Sequence, residues 1–306
     1  LTTHHVEVPD RVRSVKRAVP GPVKQAARAV LRGYGCRTAG SRPMPDFLVI
    51  GAKRGGTTSL WNYLVRHPDV LPLFPALQQI KSPHYFDINH SRGQTWYRSH
   101  FATRRQRVRH ERETGHPAVT GEASPYYMFH PLAVERIARE MPQGKFIVSL
   151  RNPVDRAYSN YNERRGCGVE PLSTFEEAIA AEPERLRGEV ERMRADPDYY
   201  SPMYDSASYL ARGRYLEHLQ PWLETFRRDQ VHIVLADQMK RDSENAFRQI
   251  CEFLGIRPLG LQGYPRYNLL PTPAMDPKTR ERLVEYFRPH NAALSAAVDM
   301  ELDWDR

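Results

Sequence analysis

Pro45-Asp46-Phe47-Leu48-Val49-Ile50-Gly51-Ala52-Lys53-Arg54-Gly55-Gly56-Thr57-Thr58-Ser59-Leu60 is an apolar run that ends in a basic, Gly-rich loop and passes into a helical pattern. Strand, Gly-rich turn, helix start is how α/β proteins build an anion cradle. Glycines let backbone N–H groups come close, and the helix N-terminus adds partial positive charge. Gly51 and Gly56 have the spacing of a Walker A loop, but Thr57 stands where a nucleotide triphosphatase carries its Lys. The loop therefore reads as phosphate-binding without being an ATPase or GTPase loop. A tight turn is the alternative for Gly55-Gly56; the flanking Lys53, Arg54, Thr57 and Thr58 weigh for the anion.

Working outward, Lys145 to Leu150 is a second apolar strand, closed by Arg151 and followed by Asn152-Pro153, which opens a helix through Arg165. Arg151 at the strand's end and Ser159 two turns into the helix are placed to share a phosphate, the first by its planar fork and the second by its hydroxyl. Two such strand-to-helix anion sites point to a ligand with phosphates at both ends. Short strands also read at 119–127 and 231–235. Helices read at 58–67, 131–141, 173–195, 209–226, 245–254 and 279–287, and 258–275 reads as a loop. Tyr215 and Trp222 read as core. Strands separated by helices predict an α/β fold, P-loop-like, with a mostly parallel central sheet and helices on both faces.

The chain has 306 residues, a formal charge of +9 and 40% hydrophobic residues, which suits a globular protein with acidic partners. Much of the charge lies in residues 1–44, where cations far outnumber Glu7 and Asp10. Residues 11–34 read as a basic, weakly amphipathic helix broken at Pro20-Gly21-Pro22. It is either an arm packed on its own domain, the preferred reading, or a contact for an anionic membrane surface. A linker over 35–45 then leads into one α/β domain, 45–306. Cys36, Cys167 and Cys251 make neither a disulfide framework nor a metal site, which favours a reducing compartment. No run approaches the ~18 apolar residues of a membrane span. Neither metal-ligand spacing nor a nucleic-acid signature is visible.

At the two anion sites the chain resembles the sulfotransferases that use 3′-phosphoadenosine 5′-phosphosulfate (PAPS), closest to the heparan-sulfate type and its bacterial relatives. The resemblance continues through His84-Tyr85-Phe86-Asp87, Gly121-Glu122-Ala123-Ser124-Pro125, Gly213-Arg214-Tyr215, Met275-Asp276-Pro277 and Asp303-Trp304, over roughly 45–306. It implies a 5′-phosphosulfate loop at Lys53, Arg54, Gly55, Gly56, Thr57 and Thr58, a 3′-phosphate site at Arg151 and Ser159, and in-line sulfuryl transfer to an acceptor hydroxyl without a metal. Three departures are visible. The loop's usual catalytic Lys is Arg54, with Lys53 beside it; Arg supplies charge but cannot shed a proton. The usual catalytic Glu is Ser82, so His84 is the expected base, with Glu122 and Asp87 as weaker alternatives. The usual Lys-Gly-Arg loop is Asn268-Leu269-Leu270, leaving Arg266 as the nearest cation. These losses keep open a non-catalytic nucleotide or sulfated-glycan binder on the same fold; a P-loop kinase is the weaker alternative. Cations in 92–112 and 156–165 would suit an anionic glycan acceptor, or are simply a solvated face. A cytoplasmic bacterial enzyme acting on a small molecule, lipid or sugar is the expectation, with a trimmed Golgi-lumenal enzyme the alternative.

Overall fold

The computed structural model describes residues 21–76, 80–267 and 273–305. Strands β1 (Phe47–Gly51), β2 (Gly121–Ala123), β3 (Lys145–Leu150) and β4 (Val231–Leu235) pair in the order β2-β1-β3-β4, every pairing parallel. Helices flank the sheet, as expected of an α/β fold of this kind. A parallel sheet is covered on both faces, which is why its strands read as continuous apolar runs. Phe47, Leu48, Val49 and Ile50 are all wholly buried, each contributing about 1.5–3 kcal/mol by leaving water. The Phe47 ring lies over Gly121, where a Cβ would stand 2.4 Å from it, so the β1–β2 pairing has no room for a side chain there.

Leu60, Trp61 and Leu64 of α2 (Thr57–Arg66) enter the main core with the strands. So do Leu219 and Trp222 of α10 (Tyr215–Thr225) and Phe247 and Ile250 of α12 (Ser243–Leu254). Tyr215 and Trp222 are buried, as read from the sequence. A second cluster joins α6 (Pro153–Gly166), α7 (Phe175–Leu186) and α13 (Pro277–Val298) through Val154, Ala157, Tyr161, Phe175, Leu283 and Phe287. It fixes the helix that carries Ser159.

Several boundaries differ from the expectation. The single helix expected over 173–195 is two, α7 and α8 (Glu189–Ala195), parted at Gly188, whose φ of 72° breaks the helix. The helix expected from Tyr209 begins at Tyr215. The buried Glu182 carboxylate accepts the Leu210 and Ala211 amides at 2.7 and 2.8 Å and holds them out of helical pairing. α13 runs past Pro289 to Val298 because Phe287, Leu294 and Val298 continue one buried stripe.

The stretch expected as a linker is packed. α1 (Gly21–Arg37) reaches Arg37, and its Arg32 donates to Ser99 Oγ at 2.8 Å and to the Phe74 carbonyl at 3.3 Å. Arg42 is buried with its guanidinium 4.5 Å from the Phe74 ring centroid. The end of α1 from Arg32 is thus docked on the rest of the chain, while residues 25–30 are exposed; residues 1–20 lie outside the described set. No described helix is long and apolar enough to cross a membrane.

Candidate active site

The β1-to-α2 turn is shaped by two glycines. A Cβ on Gly55 would stand 2.3 Å from the Ser149 carbonyl of β3, and Gly56 has a φ of 90°. Ser149 Oγ closes the contact by donating to the Gly55 carbonyl at 2.5 Å. α2 starts at Thr57, so the free amides of its first turn face the cleft at the strands' C-terminal ends. Lys53, Arg54, Gly56, Thr57, Thr58, Arg151 and Arg266 all line that one cleft. Gly55 lies beneath it as the hinge of the turn.

The β3-to-α6 turn is built otherwise than expected. Asn152 accepts the Val154 and Asp155 amides at 2.9 and 3.3 Å, so the helix N-terminus is capped by its own chain. An anion at this end would therefore meet side chains and not these backbone amides. Arg151 lines the cleft, and its buried Nε has no partner among the described residues. Arg54, which has a φ of 68°, donates from Nε to Ser159 Oγ at 3.0 Å and lies 3.6 Å from the Glu163 carboxylate. Burial draws its guanidinium below the usual value, Glu163 opposes that, and the neighbouring Arg151 charge adds to the lowering. Arg54 and Ser159 are together, with Arg151 beside them.

Lys53 points away from this group. Its Nζ meets the Asp205 carboxylate at 3.0 Å and the Asp205 carbonyl at 2.8 Å, and Arg212 holds the same carboxylate at 3.0 Å. Burial lowers Lys53 to about 8 despite Asp205, while the two cations hold Asp205 well below the carboxylate range. Arg266 is exposed and is held over the cleft by its neighbours. Tyr63 Oη donates to the Tyr264 and Pro265 carbonyls at 3.2 and 3.0 Å, and the Tyr267 amide donates to Ser59 Oγ at 3.1 Å. Asn268, Leu269 and Leu270 lie outside the described residues.

His84 is not among the residues lining the cleft; it stands beyond Lys81 and Ser82 on the chain that runs beside β2. Its Nδ1 is 3.0 Å from Asp87 Oδ2, and no described residue hydrogen-bonds Nε2. The ring is 37% exposed while Asp87 is wholly buried, so Asp87 can orient the imidazole but cannot itself meet an acceptor. Burial pulls His84 down, yet Asp87, with Glu122 and Asp205 behind it, outweighs that and leaves the ring above its ordinary value. Its φ of 53° is a left-handed conformation unusual for a side chain-bearing residue. Ser82 Oγ donates to Glu122 and accepts the His84 amide at 2.8 Å. Glu122 also takes the Tyr97 and Tyr127 hydroxyls at 2.7 and 2.8 Å; burial raises it to about 7 against the pull of these bonds. It is sealed behind Ser82 and the tyrosines.

Sequence reasoning missed Lys81, Asp205 and Glu163. Lys81 is buried, lines the cleft, and donates from Nζ to Thr57 Oγ1 at 3.0 Å. Its place directly before Ser82 was the available signal. Asp205 has none, standing 152 residues from the Lys53 it binds.

The cations of 104–112 lie elsewhere. Arg107 of α4 (Arg104–Thr114) bonds Asp46 Oδ1 at 2.8 Å and Thr120 Oγ1 at 2.6 Å, the residues that lead into β1 and β2. That is the opposite end of the sheet from the cleft, so α4 does not line an acceptor site there. In α6, Arg156 is buried on the Tyr209 carbonyl and Arg164 pairs with Glu163 at 2.9 Å.

The heparan sulfate glucosamine 3-O-sulfotransferase 3B1 of Mus musculus is 29% identical over 219 residues, 72% of this chain and 48% of that protein. The mouse heparan sulfate glucosamine 3-O-sulfotransferase 6 is 26% identical over 329 residues, 97% of this chain and 86% of that protein. The chain thus spans about half the length of the first of these relatives. A crystal structure of a sulfotransferase from Alicyclobacillus acidocaldarius, 31% identical, matches with a TM-score of 0.63 over 86% of this chain and 99% of that one. The family of the sulfotransferase domain matches residues 44–262, and the chain belongs to it.

Proposed function

We propose that the protein transfers a sulfuryl group from PAPS to an acceptor hydroxyl and releases 3′-phosphoadenosine 5′-phosphate. The carrying observation is one cleft flanked by two strand-end turns and lined by the cations Lys53, Arg54, Lys81, Arg151 and Arg266. Such a concentration of positive charge beside a helix N-terminus suits an anionic ligand. The Gly55-Gly56 turn and the first amides of α2 would hold the 5′ end, and Arg151 with Ser159 and Arg54 the 3′-phosphate. Arg266, exposed above the cleft, would close over the nucleotide. Lys53, fixed on Asp205, bounds the side from which an acceptor approaches. His84, with Nδ1 on Asp87, keeps Nε2 free to take the acceptor's proton as sulfur–oxygen bond formation proceeds. Arg54 contributes charge and no proton.

The acceptor class, by this reading, is a small molecule, lipid or sugar. The three free cysteines support a reducing, cytoplasmic setting. The basic helix α1 exposes Val30 and Tyr34, which would suit peripheral contact with an anionic membrane. Calorimetric titration of 3′-phosphoadenosine 5′-phosphate against ATP tests the donor assignment. We expect clear preference for the nucleotide bearing a 3′-phosphate; equal affinity for both overturns it. The non-catalytic binder differs in one respect: it would bind this nucleotide and turn over no acceptor in a screen with labelled donor.

A further inference from the structure

Three cations reach the cleft from the β1-to-α2 turn and the chain beside β2, and they differ in how they are neutralised. Lys53 is matched by Asp205 and Arg54 by Glu163. Lys81 is matched by nothing: among the described residues no carboxylate pairs with it, and its one bond is to the neutral Thr57 hydroxyl. Its backbone is fixed, since the Ala123 amide of β2 donates to the Lys81 carbonyl at 2.9 Å. The side chain is largely buried at the wall of the cleft, and no described carboxylate pairs with its ammonium. Burial alone lowers it to about 7. A buried lone cation is destabilising, and it faces the first turn of the helix whose amides already favour an anion.

We propose that Lys81 is a catalytic residue of the 5′ end of the donor site, hydrogen-bonding the phosphate oxygen that leaves. The inference rests on the donor reading given above. In the transfer, the bond between sulfur and the bridging oxygen breaks and its electron pair stays on the 5′-phosphate. The acceptor oxygen bonds to sulfur, and the acceptor's proton goes to the base. Lys81 stabilises the charge arriving on the phosphate, a task for which Lys53 and Arg54 are already committed to carboxylates. Besides Thr57, the charged groups that line the same cleft are Lys53 and Arg54 on the turn, Arg151 at the end of β3, Glu163 on α6, Lys240 on α11 (Ala236–Arg241) and Arg266, while Glu122 of β2 bonds the next residue, Ser82. The two carboxylates are taken: Glu163 by Arg54 and Arg164, and Glu122 by Ser82 and two tyrosines.

The test compares 3′-phosphoadenosine 5′-phosphate with adenosine 3′-monophosphate, which lacks the 5′ group, on the parent and on Lys81→Met and Lys81→Gln. Losing a charged hydrogen bond to the 5′-phosphate should weaken the bisphosphate by roughly ten- to a hundredfold, with adenosine 3′-monophosphate unchanged. Thermal melting without ligand should show Lys81→Met at least as stable as the parent, because a buried uncompensated charge has gone. Equal loss for both nucleotides, or a lowered melting temperature with nucleotide affinity intact, overturns the proposal and leaves Lys81 structural. If the parent itself binds no bisphosphate, it is the donor reading that fails.

Discussion

The His84–Asp87 pair concentrates the acid–base question in one contact. Asp87 is buried and the ring partly open to solvent, so in the proposed mechanism the carboxylate acts on the ring and the ring on the acceptor. His84 works as a base only when neutral, and Asp87 raises the pH at which it becomes so. Removing that carboxylate leaves burial as the main influence, which lowers the ring. In Asp87→Asn the rise of kcat/KM with pH should therefore move to lower pH, while kcat falls through lost orientation. His84→Ala should lose roughly 10²- to 10⁴-fold in kcat with the nucleotide affinity kept. Acceptor turnover by a folded His84→Ala at the parent's rate would remove His84 from the mechanism. The sequence showed that a carboxylate was missing at Ser82; it did not show that Glu122 fills the space behind it, because that contact joins two chain segments 40 residues apart.

Two turns with the same strand-to-helix order do different work. In the first, glycines bring backbone amides up to the cleft. In the second, Asn152 satisfies the helix end, and its Nδ2 also donates to the Trp304 carbonyl at 3.0 Å. Asn152→Ala should cost about 1 kcal/mol for the cap, with a further loss from the tail contact, read as a lower urea midpoint at unchanged slope. It should also weaken the bisphosphate nucleotide more than adenosine 5′-monophosphate, since Arg151 precedes the cap directly. No change in that preference would separate the cap from the 3′-phosphate site. The four strands were legible because each is a short apolar run bounded by turn residues. The helix breaks at Gly188 and before Tyr215 were not. One follows from a single positive φ and the other from a Glu182 carboxylate reaching across from α7. Neither leaves a periodicity to read.

Across the molecule, ionic contacts as well as the sheet join distant segments. Asp69, after α2, is wholly buried and takes Arg257 at 2.5 and 2.8 Å and His110 of α4 at 3.1 Å. Arg257 above all holds its carboxyl below the usual range. A depressed folded pKa gives stability that is present above the unfolded value and lost as pH falls through the folded one. Asp69→Asn should lose about 3 kcal/mol near neutrality, and the gap to the parent should close progressively below about pH 4. A gap independent of pH would show that shape and not charge is lost. The same arrangement of prior contacts bears on how the cleft meets a ligand. Lys53, Arg54 and Lys81 each rest on a protein partner in the free chain. A long cationic side chain gives up about 1.5–2 kcal/mol of rotamer freedom when fixed, and here that loss falls at folding and not at binding. Nucleotide association should then show little conformational entropy penalty from these side chains.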